Sequence, residues 1–439
     1  MRKSKNHPLS TLMLAALLSV AVAVFLVVGC NPPTDKATET PTEKPSEVTA
    51  ADILGDPAYR AISYGGYRAN SREVQPTVPQ LKEDMLLLQA MGIKVLRTYN
   101  THLAQASNLL AAIRELKSED PGFEMYVMLG AWINCKGAFT ANPDHSAEDA
   151  EANAAEIARA VEMAKAYPDI VKVIAVGNEA MVKWAASYFV QPGVILKWVN
   201  HLQSLKAKGE LPESLWITSS DNFASWGGGG AEYHVEDLEQ LLRAVDFVSL
   251  HTYPMHDTHY NPDFWGVTEA EAELPKAEQI EAAMERALAY AQQQYAQTAA
   301  YISGLGIEKP IHIGETGWAT VSNSFYGPGG SKATDEYKSA IYHKRMREWT
   351  DEDGISCFYF EAFDENWKDA GNPGGSENHF GLLTIDGKAK YALWGLVDAG
   401  VFKGLGRGGQ PVTKTRDGDE AALLESVEVP PLMEEAPAH

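Results

Sequence analysis

Eight short runs rich in β-branched and aromatic residues recur along this chain, each followed by a loop and then a stretch with helical periodicity. They fall at 61–64, 94–99, 124–129, 171–176, 215–219, 247–251, 310–313 and 356–360. The helical stretches are 80–91, 103–117, 147–166, 194–206, 235–244, 276–305 and 334–349. Strands alternating with helices at this spacing are the mark of parallel strands joined by crossover helices. Eight repeats predict one closed (β/α)₈ barrel, a TIM barrel of the α/β class, spanning 53–403. A doubly wound open sheet is built from the same units, but no glycine fingerprint of the dinucleotide type follows the first run. About 350 residues exceed a usual single core and suit one such barrel.

The two ends read differently. Arg2, Lys3 and Lys5 precede an apolar run over 12–28 and then Gly29-Cys30, the layout of a targeting segment covering 1–29. A membrane-spanning helix is the other reading of that run. A small residue directly before cysteine resembles a bacterial lipobox, which makes Cys30 the lipidated mature N-terminus and implies a lipid anchor. Asn31 follows, not an aspartate that would suggest inner-membrane retention. The expected location is the bacterial cell envelope, at the outer membrane, with either face open. Residues 30–52 form the expected tether: 31–50 hold four prolines and five threonines and no aromatic, too little apolar surface to order a chain. The stretch 404–439 is glycine- and proline-rich, and from Asp417 onward it holds seven acids and no Lys or Arg. A disordered acidic tail is expected there.

A net charge of −22 excludes nucleic acid and other anionic polymers as partners, since either would need a positive field. A neutral substrate and a monomer are expected. Beyond Cys30 the cysteines are Cys135 and Cys357; two free thiols are favoured, and a bridge stays open.

In barrel enzymes the chemistry sits at the carboxyl ends of the strands. The fourth run ends Val176-Gly177-Asn178-Glu179 and the seventh ends Ile313-Gly314-Glu315-Thr316-Gly317-Trp318. Cleaving a glycosidic bond needs a protonated carboxyl at the leaving oxygen and an ionised one beneath the anomeric carbon. An isolated glutamate at a strand end is more readily a helix cap or a rim ion pair. Two of them, each in a glycine-flanked turn, favour catalysis.

These residues, with Leu96-Arg97-Thr98-Tyr99 on the second run and Phe360-Glu361-Ala362-Phe363-Asp364-Glu365-Asn366-Trp367-Lys368 on the eighth, resemble the glycoside hydrolases of family 17. The likeness runs from about Ala61 to Trp394. It implies Glu179 as acid/base, Glu315 as nucleophile, a covalent glycosyl-enzyme with retention, and neither metal nor cofactor. It also implies that Asn178 binds the 2-hydroxyl of the cleaved sugar and that Glu365 and Lys368 bind hydroxyls near the nucleophile. Tyr253 is expected at the substrate, while Arg97, Tyr99 and His251 support the carboxylates. Many members carry proline after the strand-seven tryptophan; Ala319 stands there here.

Sugar rings present flat C–H faces to aromatic side chains, so aromatics after strands are candidate platforms. Tyr64, Tyr67, Trp132, Trp226, Trp265, Trp318, Tyr326 and Trp367 qualify, with Trp318, Trp132 and Trp367 ranked first; Trp184 and Trp198 are expected in the core. His251, His256 and His259, with Asp257, match no standard metal-ligand spacing. The expected function is a retaining hydrolase of β-1,3-glucan cutting inside the chain. A glucanosyltransferase with the same site is the alternative. A non-catalytic glycan-binding lipoprotein is the third, opposed by the presence of both glutamates.

Overall fold

A computed structural model of the protein describes residues 47–433. All eight runs become strands of one closed parallel barrel: β1 Arg60–Ser63, β2 Ile93–Arg97, β3 Tyr126–Ala131, β4 Val171–Asn178, β5 Trp216–Asn222, β6 Val248–His251, β7 Ile311–Gly317 and β8 Cys357–Phe360. Neighbours in sequence are neighbours in the barrel, and β8 closes onto β1 through Ile62 opposite Tyr359. Helices α1 Val78–Ala90, α2 Ala104–Glu119, α3 Ala150–Ala166, α4 Pro192–Ala207, α5 Glu236–Ala244, α6 Lys276–Gly304 and α7 Glu336–Glu352 fill the crossovers. Local signals explain their starts. Thr77 and Gln80 form a capping box ahead of α1, with Pro79 in its first turn, and Asp149 caps α3 by accepting from the Ala152 N–H.

Two apolar cores hold the barrel. The larger lies between strands and helices. The smaller fills the barrel itself with Ala61, Val95, Met128, Val173, Phe247 and Phe358, and a short helix Ala50–Ile53 closes its base through Ala50, Ile53 and Leu54. The ordered domain therefore starts before the expected boundary at 53, because those three apolar residues find a dry seat that the tether composition did not announce.

The other boundary moves further. The expected disordered tail from 404 is folded through Met433: a hairpin Gly406–Arg407 with Gln410–Pro411, a helix Glu420–Ser426, and a closing contact in which the Met433 N–H donates to the Val267 carbonyl at 2.9 Å. The acids of this stretch face solvent while Leu423 and Val427 are buried, so a short amphipathic element was mistaken for a charged tail. A second hairpin, Cys135–Lys136 with Asp144–Glu148, interrupts the β3 to α3 crossover. Cys135 and Cys357 are free and buried. Among the described residues no helix is long and apolar enough to cross a membrane. The apolar run at 12–28 and Cys30 lie outside the described residues.

Candidate active site

The carboxyl ends of the strands open into a cleft of about 1210 Å³. That exceeds the roughly 300–1,000 Å³ of ordinary small-molecule sites and suits several sugars of a polymer. Glu179 and Glu315 stand on its floor. Two glycines permit this: Gly314 lies where a β-carbon would fall 2.1 Å from Ser249 Oγ, and Gly177 takes a φ of 83°. Glu179 itself has a φ of 44°, a conformation that side-chain-bearing residues adopt rarely and that is seen where function requires it.

Glu315 is clamped. Arg97 Nη1 donates to Oε1, and the Tyr253 hydroxyl donates to Oε2 at 2.8 Å. Burial pushes this carboxyl upward, but the Arg97 guanidinium, His251 and the Tyr253 hydroxyl outweigh it and hold it near a pKa of about 2. Arg97 also reaches the Gly314 carbonyl at 3.1 Å and Asn178 Oδ1 at 2.5 Å. Because Asn178 accepts through Oδ1, its amide nitrogen is left as a donor for another group.

Glu179 is more open, with its side chain 26% exposed. His251 Nδ1 lies 3.2 Å from Glu179 Oε1 and 3.5 Å from Glu315 Oε2, and its Nε2 lies 2.7 Å from Ser220 Oγ. With the proton assigned to Nδ1, His251 donates toward the carboxylates and accepts from Ser220. One oxygen each of Glu179 and Glu315, and a His251 nitrogen, lie within 4.8 Å of one another. A cation could use that spacing, yet the charge of Glu315 is already matched by Arg97.

The chemistry of the two carboxyls is thus separated by environment. One oxygen of each approaches the other within 4.8 Å, a close pairing of the kind a retaining glycosidase uses. The model of the BtgE/BtgC glycoside hydrolase domain matches residues 61–381. This chain belongs to that glycoside hydrolase family. An endo-laminarinase from Formosa shares 66% identity with it, over 89% of this chain and all of the other, at a TM-score of 0.87. A glucan 1,3-beta-glucosidase from Arthroderma benhamiae is 26% identical over 71% of this chain and 82% of its own length. A glycoside hydrolase family 17 beta-1,3-glucanosyltransferase from Rhizomucor miehei, 21% identical over 76% of this chain and 96% of its own, shares the fold at a TM-score of 0.53.

Around the floor of this glycosidase the other expected residues divide. Trp132, Tyr67, Tyr326, Trp367, Glu365, Lys368, Tyr99 and Tyr253 line the cleft, and the helix Pro254–Tyr260 walls one side with His256 and Asp257. Trp318, ranked first among platforms, does not line it: it is 0% exposed and its Nε1 donates to the Ala333 carbonyl. It follows β7 closely, but its ring turns outward against Trp265 and Tyr342. Trp226 and Trp265 are equally buried. Tyr64 borders the cleft, yet its hydroxyl is committed to Asp84 at 2.9 Å and its ring is buried, so it supports the wall and is no free sugar ligand. Trp184, expected in the core, is 61% exposed and lines the cleft, because the loop after Glu179 is irregular and gives it no helix to pack under. Trp198 is core, as expected.

Two buried carboxyls at strand ends were given no role by the sequence reading. Asp221, at the end of β5, is fully buried, accepts from the Met181 N–H at 2.7 Å and so fixes the turn carrying Glu179; burial pushes it up to about 6. Glu361, in the strand-eight motif, is buried with neither oxygen hydrogen-bonded and Lys368 Nζ 3.9 Å away. Burial holds it well above the usual carboxylate range. A strand-end polar position was the signal for Asp221; Glu361 stood within the strand-eight motif, with no role attached to it.

Proposed function

We propose that this glycosidase hydrolyses β-1,3-glucan internally by double displacement, with retention. The observation that carries it is the close carboxyl pair in unlike settings: Glu315 held ionised by Arg97 and Tyr253, and Glu179 half-open beside His251. Glu315 attacks the anomeric carbon as Glu179 donates its proton to the departing glycosidic oxygen. A bond from Glu315 to the sugar replaces the glycosidic bond, and the aglycone leaves as an alcohol. Glu179, now ionised, takes a proton from water, whose oxygen displaces Glu315 and frees the sugar in its original configuration. Asn178 offers its amide to the 2-hydroxyl, a contact that tightens as the sugar gains positive charge. The substrate class and the internal cut follow from the likeness to the Formosa endo-laminarinase, and the volume of the cleft suits them.

Linear β-1,3-glucan oligosaccharides, with products followed by mass and the first-formed anomer by NMR, test this. Shorter products with the β-anomer appearing first support the reading. An α-anomer first would overturn retention, and products longer than the substrate would make the protein a transferase.

We propose further that acylation of Cys30 anchors the chain at the cell envelope, as the lipobox-like Gly29-Cys30 suggests. Exchange of Cys30 for serine should release the protein from the membrane fraction on cell breakage. A wild-type chain recovered in the soluble fraction would refute the anchor.

A further inference from the structure

The hairpin at 406–411 lies beyond the residues matched by the family, yet it reaches beneath the catalytic face. Arg407 is 2% exposed. Its Nε and Nη2 grip Asp84 at 2.9 and 3.0 Å, its Nη1 donates to the Ile385 carbonyl, and its guanidinium sits 3.9 Å over the Phe363 ring. Asp84 is fully buried and also accepts from the Tyr64 hydroxyl at 2.9 Å and from Arg68 Nη2 at 2.8 Å.

Tyr64 and Arg68 bracket the loop Gly65-Gly66-Tyr67, and Arg407 Nη2 also points at the Gly66 carbonyl, 3.5 Å away. That loop lies directly on a cleft carboxylate: a β-carbon at Gly65 would fall 1.8 Å from Glu365 Oε1. Tyr67, at its end, packs edge-on against Trp367 with ring centres 5.7 Å apart, and Trp367 Nε1 donates to Glu365 Oε2 at 3.0 Å. An unbroken set of contacts thus runs from the C-terminal hairpin to the charged wall of the cleft. A bidentate arginine on a buried carboxylate is a rigid joint, because its geometry is fixed at two points.

We infer that Arg407 is a positioning residue, which presses the 65–67 loop onto Glu365 and so sets how tightly the wall formed by Glu365, Trp367 and Tyr67 holds the glucan. This rests on the proposed glucan substrate. Steady-state kinetics on β-1,3-glucan oligosaccharides of increasing length test it, run on the full chain well below the melting transitions. Arg407→Met should raise KM by about tenfold with kcat nearly unchanged, since loosening a wall away from the reacting bond weakens ground-state and transition-state binding alike. Arg407→Lys should recover part of the loss. Glu83→Gln leaves no charge buried and weakens the outer latch, where Glu83 Oε2 accepts from the Gly408 N–H at 2.9 Å, together with the adjoining pair to Arg68 Nη1 at 2.8 Å; it should raise KM by a smaller factor. It also carries the test should Arg407→Met fail to fold. A lowered melting temperature with KM unchanged in the folded variants would overturn the inference. Absence of turnover by the wild-type chain would instead sink the substrate reading.

Discussion

Two walls of the cleft are built on opposite plans. The β8 wall is charged and sealed: Lys368 Nζ lies 3.9 Å from Glu361 and 3.8 Å from Glu365, both glutamates are almost fully buried, and the Phe360 ring lies 4.1 Å under the ammonium. The wall from the β3 and β4 loops is aromatic and open. Trp132 and Tyr188 rings sit 5.0 Å apart, Phe139 stacks on Tyr188 at 5.5 Å, and Phe139 and Trp184 are 63% and 61% exposed. Buried polar groups with few partners select hydroxyl positions sharply, because any mismatch leaves one of them unpaired in a dry site. Exposed rings accept any flat sugar face. The first wall is built for selection and the second for grip.

The comparison can be pressed hardest at the carboxylate between the walls. Glu315→Gln keeps the shape and removes the charge, so turnover should fall by about 10⁴-fold or more while oligosaccharide binding by calorimetry persists. Residual activity near wild type would remove Glu315 from the nucleophile role.

Charge on the floor makes the next prediction. The Glu315 carboxyl normally titrates near 4.5 and is held at about 2 in the fold. A depressed pKa contributes stability that is complete above the unfolded value and is lost as pH falls toward the folded one. Arg97→Met removes the main opposing charge, so Glu315 should titrate higher and the acid limb of kcat/KM should move to higher pH. A pH profile with an unmoved acid limb would show that Arg97 does not set this charge.

The walls themselves should then separate. Lys368→Met removes the cation held between two buried carboxyls, which take up protons in its absence, and should destabilise the fold by roughly 1 to 3 kcal/mol in denaturant titration, besides weakening binding. Trp184→Ala on the open wall should leave stability within about 0.5 kcal/mol and raise KM for the longer oligosaccharides by roughly three- to tenfold. Equal stability losses in the two variants would erase the distinction.

The barrel was legible in the sequence because strand and helix periodicities alternate eight times without a gap. The carboxyl pair was legible because each glutamate directly follows an apolar run within glycines. Trp318 misled for a geometric reason: adjacency to a strand end does not say to which side a ring turns, and here it turns into the shell beside Trp265. Trp184 misled in the opposite sense, since apparent helical spacing belongs to a loop. The C-terminal hairpin was invisible because the features that order it, Arg407 on Asp84 and Leu423 in an apolar seat, are contacts over long sequence separations that composition averages away.

The helix Ala50–Ile53 seats against the starts of the strands, where Glu47 pairs with Lys172 and the Gly55 N–H donates to Ser356 Oγ. The catalytic carboxyls stand at the strands' other ends. The described chain therefore begins at the heel of the barrel, and the cleft lies at the opposite ends of the strands. A long polymer can cross such a mouth without meeting the residues where the described chain begins.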